Sequence, residues 1–112
     1  MSIYRTDEEL INRTAALLGK FVPGEALGAV EHDTIDRTID SVIAELSKIV
    51  VIDREQVPNI FFETVARLCA VYAAADFSNQ PLDMPAVMMH ESRMHYLASN
   101  SPTYEVIRTE FF

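Results

Sequence analysis

Ile35, Ile39, Val42, Ile43, Leu46 and Ile49 recur at the three- and four-residue spacing that lines one side of an α-helix. A helix carrying such a stripe must bury it against other elements, so helix packing constrains everything else the chain can do. Asp33 is placed to cap this helix. On its outer face Asp33 and Arg37 form a favourable pair at i,i+4, whereas Asp36 and Asp40 repel each other at the same spacing by a few tenths of a kcal/mol. That face is expected to meet water or a basic partner.

Three further helices are legible around it. Thr6 stands three residues before Glu9, the spacing of a reciprocal N-terminal cap, and Leu10, Ile11, Leu17 and Leu18 supply the buried stripe that follows. Gly19 is placed to end that helix in a left-handed conformation, and Pro23-Gly24 prevents its resumption, leaving residues 19–31 as a connector. Val50, Val51 and Ile52 fit either a short extended link or the last turn of the second helix. Pro58 suits the first turn of a third helix, which runs without glycine to about Phe77 and carries a Glu63–Arg67 pair. Its small residues Ala66, Ala70, Ala73, Ala74 and Ala75 allow close backbone approach, which places it at the centre of a bundle. Asp83 offers a cap and Pro85 a first-turn residue for a fourth helix ending near Ala98.

Ser99-Asn100-Ser101-Pro102 is a stop, and Tyr104 to Phe112 is too short for an amphipathic helix and rich in β-branched and aromatic residues. It is expected to be extended, and no earlier segment reads as a partner strand. The expectation is therefore an all-α fold, a bundle of about four helices over residues 1–101, with an extended C-terminal interaction segment over 102–112.

An apolar fraction of 49% in 112 residues is enough for one core. The formal charge of −8 disfavours a basic groove for nucleic acid, and residues 21–53 alone contribute −5. The simplest account of that excess is a solvated helix face. Cys69 is the single cysteine, so neither an intrachain disulfide nor a multi-cysteine zinc site can form. Residues Met1 to Glu9 lack the apolar stretch of a signal peptide, and the best apolar window, Ile60 to Phe77, is interrupted by Glu63, Arg67 and Asp76. A soluble protein of a reducing compartment, without a membrane partner, is expected.

Residues for catalysis are not nominated. His90 and His95 are five apart, about 140° around a helix, and Glu91 with His95 at i,i+4 lacks a third metal donor. Cys69 falls on the apolar stripe of the third helix, where a buried structural thiol is expected rather than a nucleophile. Gly19, Gly24 and Gly28 make no phosphate-cradling loop. No catalytic, metal or cofactor site is expected, and the protein is not expected to be an enzyme. Met84, Met88, Met89 and Met94 crowd the fourth helix and suit either irregular core gaps or an adaptable contact surface.

The segment with the clearest binding character is the last one. Tyr104, Val106, Ile107, Phe111 and Phe112 are large apolar side chains near a terminus, with Arg108 among them. Docked on another chain they would supply at most about 8 to 15 kcal/mol, at ~1.5 to 3 kcal/mol per side chain, against an ordering cost of about 1 to 2 kcal/mol per residue. One such segment is a weak ligand, whereas many copies on a symmetric assembly bind with avidity. The alternative is that the segment folds back over its own bundle.

In pattern the chain resembles the head-to-tail connector proteins of tailed bacteriophages, the helical adaptors beneath the portal. The resemblance rests on the capped first helix (Thr6-Asp7-Glu8-Glu9-Leu10), the acidic second helix (Thr34 to Leu46), the alanine-rich third helix (Val65 to Ala75) and the ending Pro102 to Phe112. It implies a homo-oligomeric ring, usually of twelve subunits, at the head-tail interface of a virion and made in the host bacterial cytoplasm. Its partners would be the portal protein, neighbouring copies and tail proteins, with packaged DNA passing through without specific binding. Asp33, Asp36 and Asp40 would then face a lumen along which DNA slides. The competing reading is an acidic regulatory or DNA-mimic protein that fills a basic groove on another protein.

Overall fold

A computed structural model describes residues 3–21 and 24–100. Its elements are β1 (Tyr4–Arg5), α1 (Asp7–Leu17), α2 (Ala29–Leu46), β2 (Val57–Pro58), α3 (Asn59–Ser78) and α4 (Met84–Ser99). The fold is all-α, a small four-helix bundle in which α3 packs against each of the other three helices.

Local sequence chemistry sets most of the helix ends. The Thr6 hydroxyl accepts from the Glu9 amide at 3.1 Å, and the Glu9 carboxylate accepts from the Thr6 amide at 2.9 Å, so both partners of the expected cap are in place. Together with Arg5, these bonds hold the Glu9 carboxyl below its ordinary range. Gly19 takes a positive φ of 74° just beyond α1, as its position demands. The α4 start is likewise capped, with the Asp83 carboxylate accepting from the Ala86 amide at 3.2 Å and Pro85 in the first turn.

Two expectations are corrected. The α2 helix starts at Ala29 with Gly28 as its N-cap residue, and Asp33 lies inside it. The Glu31 side chain folds back over Gly28, occupying the space a Cβ would need, and the Gly28 carbonyl accepts from the His32 amide at 2.8 Å. The segment Ala29 to His32 is thus helical, and the connector is shorter than 19–31. The second correction is a two-stranded antiparallel sheet in which Tyr4 pairs with Pro58 and Arg5 with Val57. Pro58 is tolerated because the next amide, Asn59, supplies the bond to the Ile3 carbonyl at 2.9 Å.

The Val50–Ile52 segment combines both alternatives open to it. A tight turn over Ser47–Ile49 follows α2, with the Ile49 and Val50 amides both donating to the Leu46 carbonyl. The chain then extends, so Val50 and Ile52 are buried while Val51 is 69% exposed.

The core gathers Leu10 and Ile11 of α1, Ile35, Ile39, Val42 and Leu46 of α2, and Phe61, Val65, Leu68 and Ala73 of α3. Buried positions of α3 cover roughly 200° of its circumference at ~100° per residue, wider than the stripe of a helix covered on one side, and Cys69 lies within this sector. Cys69 is wholly buried in this core, and burial pushes its thiol pKa up to about 12, against the weaker opposing pull of Arg54 and Thr14. Among the described residues, the buried Thr14 hydroxyl makes no hydrogen bond of good geometry, the Cys69 thiol beside it being a weak partner.

Two outcomes follow from this core. Replacing Thr14 by Val removes a buried, poorly satisfied hydroxyl without leaving a cavity, so the variant is expected to be as stable as the parent or more stable by about 1 kcal/mol in urea denaturation. Native protein is expected to leave Cys69 unmodified by a thiol reagent at pH 8 and to react fully only in denaturant, with rapid labelling of the native state contradicting the burial.

Candidate partner-binding surface

The fourth helix is where the phase of an α-helix separates structural from exposed apolar groups. Val87, Met94 and Ala98, at i, i+7 and i+11, are buried against the bundle. Met84, Met88, Met89 and Tyr96 lie out of that phase and are 51%, 62%, 61% and 58% exposed. The methionine cluster is therefore divided, with Met94 filling the core and the other three exposed on two sectors of the helix, Met84 with Met88 on one and Met89 with Tyr96 on the other. Arg93 lies on the Met89–Tyr96 sector, its guanidinium 5.1 Å from the centre of the Tyr96 ring. The only carboxylate between Met84 and Asn100 is Glu91, which is 19% exposed and bridges to Lys48 at 3.3 Å. His90 on the same helix has a lowered pKa, from burial first and then the charge of Arg67.

A groove of about 840 Å³ runs between α2 and the C-terminal half of α3. Its apolar lining comes from Val30, Tyr72, Ala75, Phe77 and Leu82, with Ser41 and Asp76 among the polar residues. Lys20 lies 4.4 Å from the centre of the Phe77 ring and so covers part of that residue. A second, shallower groove of about 620 Å³ near the small sheet is lined by Tyr4, Arg5, Arg13, Phe62 and Glu63. Its charges are already matched. Arg13 binds Glu63 through two bonds of 3.0 and 2.7 Å, Arg67 reaches Glu63 at 3.0 Å, and Arg5 sits 4.1 Å over Phe62 while pairing with Glu9. The Arg13 bond foremost lowers the Glu63 pKa.

The three aspartates of the acidic face are all engaged. Asp33 pairs with Arg37 at 3.3 Å, as their spacing indicated. Asp36 and Asp40 do not simply face each other, because the Arg54 guanidinium lies between them at 2.5 and 2.8 Å. Arg54 also donates to the Asp36 carbonyl at 3.2 Å and lies 3.9 Å from Asp7. Burial opposes the Arg54 charge, but the bonds to Asp40 and Asp36 outweigh it and raise its pKa. Sequence reasoning missed Arg54 because it is 14 and 18 residues away from its two partners. The available signal was the i,i+4 aspartate pair itself, whose repulsion called for a cation.

Tyr104, Val106, Ile107, Arg108, Phe111 and Phe112 lie outside the described residues. Among the described residues, no group of three or more His, Cys, Asp or Glu side chains is placed to hold a metal ion, and no helix is long and apolar enough to cross a membrane. Comparison of the chain with protein-family models, curated proteins and solved structures yields no match.

Replacing Arg54 by Ala leaves Asp36 and Asp40 facing each other without their shared cation. A loss of about 1 to 3 kcal/mol in urea unfolding is expected, with half or more recovered when Asp40 is also changed to Asn. An unchanged midpoint in the single variant would show the clasp to be ornamental.

Proposed function

We propose that this protein is a structural adaptor of a bacteriophage head-to-tail interface, assembling as a ring of twelve copies beneath the portal and offering a docking face to tail proteins. The observation that carries the reading is the exposure of Met84, Met88, Met89 and Tyr96 on α4, the helix that leads in sequence to Tyr104–Phe112. Apolar side chains therefore occupy both the outer face of the last helix and the segment after it. Such surfaces suit protein contacts rather than small-molecule chemistry. The resemblance in helix pattern and ending supplies the phage context.

The ion pairs of the bundle support the same reading. Asp36 and Asp40 clasp Arg54, and Asp33 pairs with Arg37, so much of the acidic face is compensated within the chain. A protein imitating DNA needs carboxylates left free for a basic groove, which makes the DNA-mimic reading the weaker of the two. A lumen-facing role for Asp33 and Asp40 remains compatible with their exposure, since both carboxylates reach solvent.

Removal of Tyr104 to Phe112 is expected to abolish binding to the portal protein while leaving the helical signal in circular dichroism unchanged. Binding of the truncated chain at parental affinity would refute the role given to this segment. Binding that weakens steeply with salt instead of surviving it would favour the charge-led alternative.

A further inference from the structure

One side of α3 is left open by the bundle. Arg13 of α1 binds Glu63 from one flank, and the charge of Arg67 acts on His90 of α4 on the other, so the open sector runs between α1 and α4. At ~100° per residue Glu63, Arg67, Ala70 and Ala74 share it. Its first half is cationic. Arg13, Arg67 and Arg93, the last one turn along α4 from His90, surround the single carboxylate Glu63, a local charge of +2 from three cations and one anion in a chain of charge −8. Arg93 contacts the Tyr96 ring and, among the described residues, enters no ion pair. The second half is low and uncharged, because Ala70 is half-buried and Ala74 exposed, with no long side chain to fill the space above them.

The chain carries a segment whose side chains follow the same order. Residues 79–83 join α3 to α4 and the two helices pack on each other, so they run antiparallel and α4 ends beside the cationic start of α3. Residues 101–112 come next, with a fully extended reach of roughly 40 Å at ~3.3 Å per residue. The sector from Glu63 to Ala74 is about 17 Å long at ~1.5 Å per residue, close to the roughly 20 Å that Glu105 to Phe111 span when extended. In an extended segment alternate side chains share a side, which groups Glu105, Ile107, Thr109 and Phe111 and puts Arg108 on the opposite one. Followed outward from α4, that side offers an acid and then apolar groups, just as the sector offers guanidinium groups and then alanines.

We infer that the C-terminal segment lies along the open sector of its own α3, with Glu105 facing Arg93 and Arg67 and with Ile107 and Phe111 over Ala70 and Ala74. A tethered segment needs little intrinsic affinity, because its attachment is intramolecular. The site belongs to the free chain and stands independently of the adaptor reading; a partner that takes hold of the segment has first to draw it out.

Cross-linking in the full-length chain tests it, because Cys69 is buried and does not compete for oxidant. One variant carries Ala74→Cys with Thr109→Cys, and a control carries Ser41→Cys, exposed on α2, with Thr109→Cys; neither disturbs the core. Oxidation with copper phenanthroline at low concentration is expected to close a disulfide within the Ala74→Cys chain at least tenfold faster than in the control. Equal rates would show a segment that samples the whole surface, and no closure would show one held elsewhere. Mixed dimers from chains carrying Ala74→Cys or Thr109→Cys alone, formed as readily as the internal link, would place the segment on a neighbouring copy. Each of these three results would overturn the inference.

Charge exchange provides the second readout. Arg93→Glu in the Ala74→Cys/Thr109→Cys chain is expected to slow closure about two- to fivefold, and adding Glu105→Arg to restore it. An unchanged rate, or no restoration, would overturn the facing of Glu105 and Arg93. Failure of the adaptor reading looks different: the internal link forms normally while truncation at Tyr104 leaves portal binding intact.

Discussion

Burial of α3 on three sides is the constraint from which the rest of the bundle takes its arrangement. Phe61, Val65 and Leu68 fill the space between α3 and its neighbours, and Ala66 and Ala73 let the packing helices come close. A helix so enclosed cannot carry free polar groups on its covered side. The charged residues Glu63 and Arg67 accordingly lie on the remaining sector, where Arg13 of α1 joins them in one ion-pair set. The tie between α1 and α3 is thus apolar inside and charge-assisted at the edge.

The second organising element is the return of the chain after α2. Ile49, Val50 and Ile52 close over the core, and the following residues bring Arg54 back to the outer face of α2. One guanidinium there offsets a repulsion that α2 carries by itself, and binds a main-chain carbonyl as well. The same return presents Val57 and Pro58 to Tyr4 and Arg5, so the small sheet joins the start of the chain to the entry of α3. Two short strands add little stability by themselves; their consequence is to fix where α1 begins.

With α1, α2 and α3 bound to one another, α4 packs on α3 through one side only, and this leaves its other side to solvent. The exposed methionines are a result of that position. A helix flanked on both sides would have buried Met88 and Met89 with Met94. The proposed adaptor role draws on this incompletely covered helix.

The sequence by itself determined the number and type of helices, the caps at Thr6 and Asp83, the left-handed Gly19 and the buried state of Cys69, because each depends on residues within a turn or two of one another or on a strong apolar period. The α2 start shows the limit of such reasoning, since Asp33 has good capping chemistry yet lies within a helix begun at Gly28 and covered by Glu31. Only the tertiary structure decided that Arg54 belongs with Asp36 and Asp40, that Tyr4 and Pro58 pair, and that Met94 is core while Met84, Met88 and Met89 are surface. These outcomes depend on which parts of a folded chain meet across long sequence separations, and on which side of each helix its neighbours leave uncovered. Local propensity and spacing carry neither kind of information.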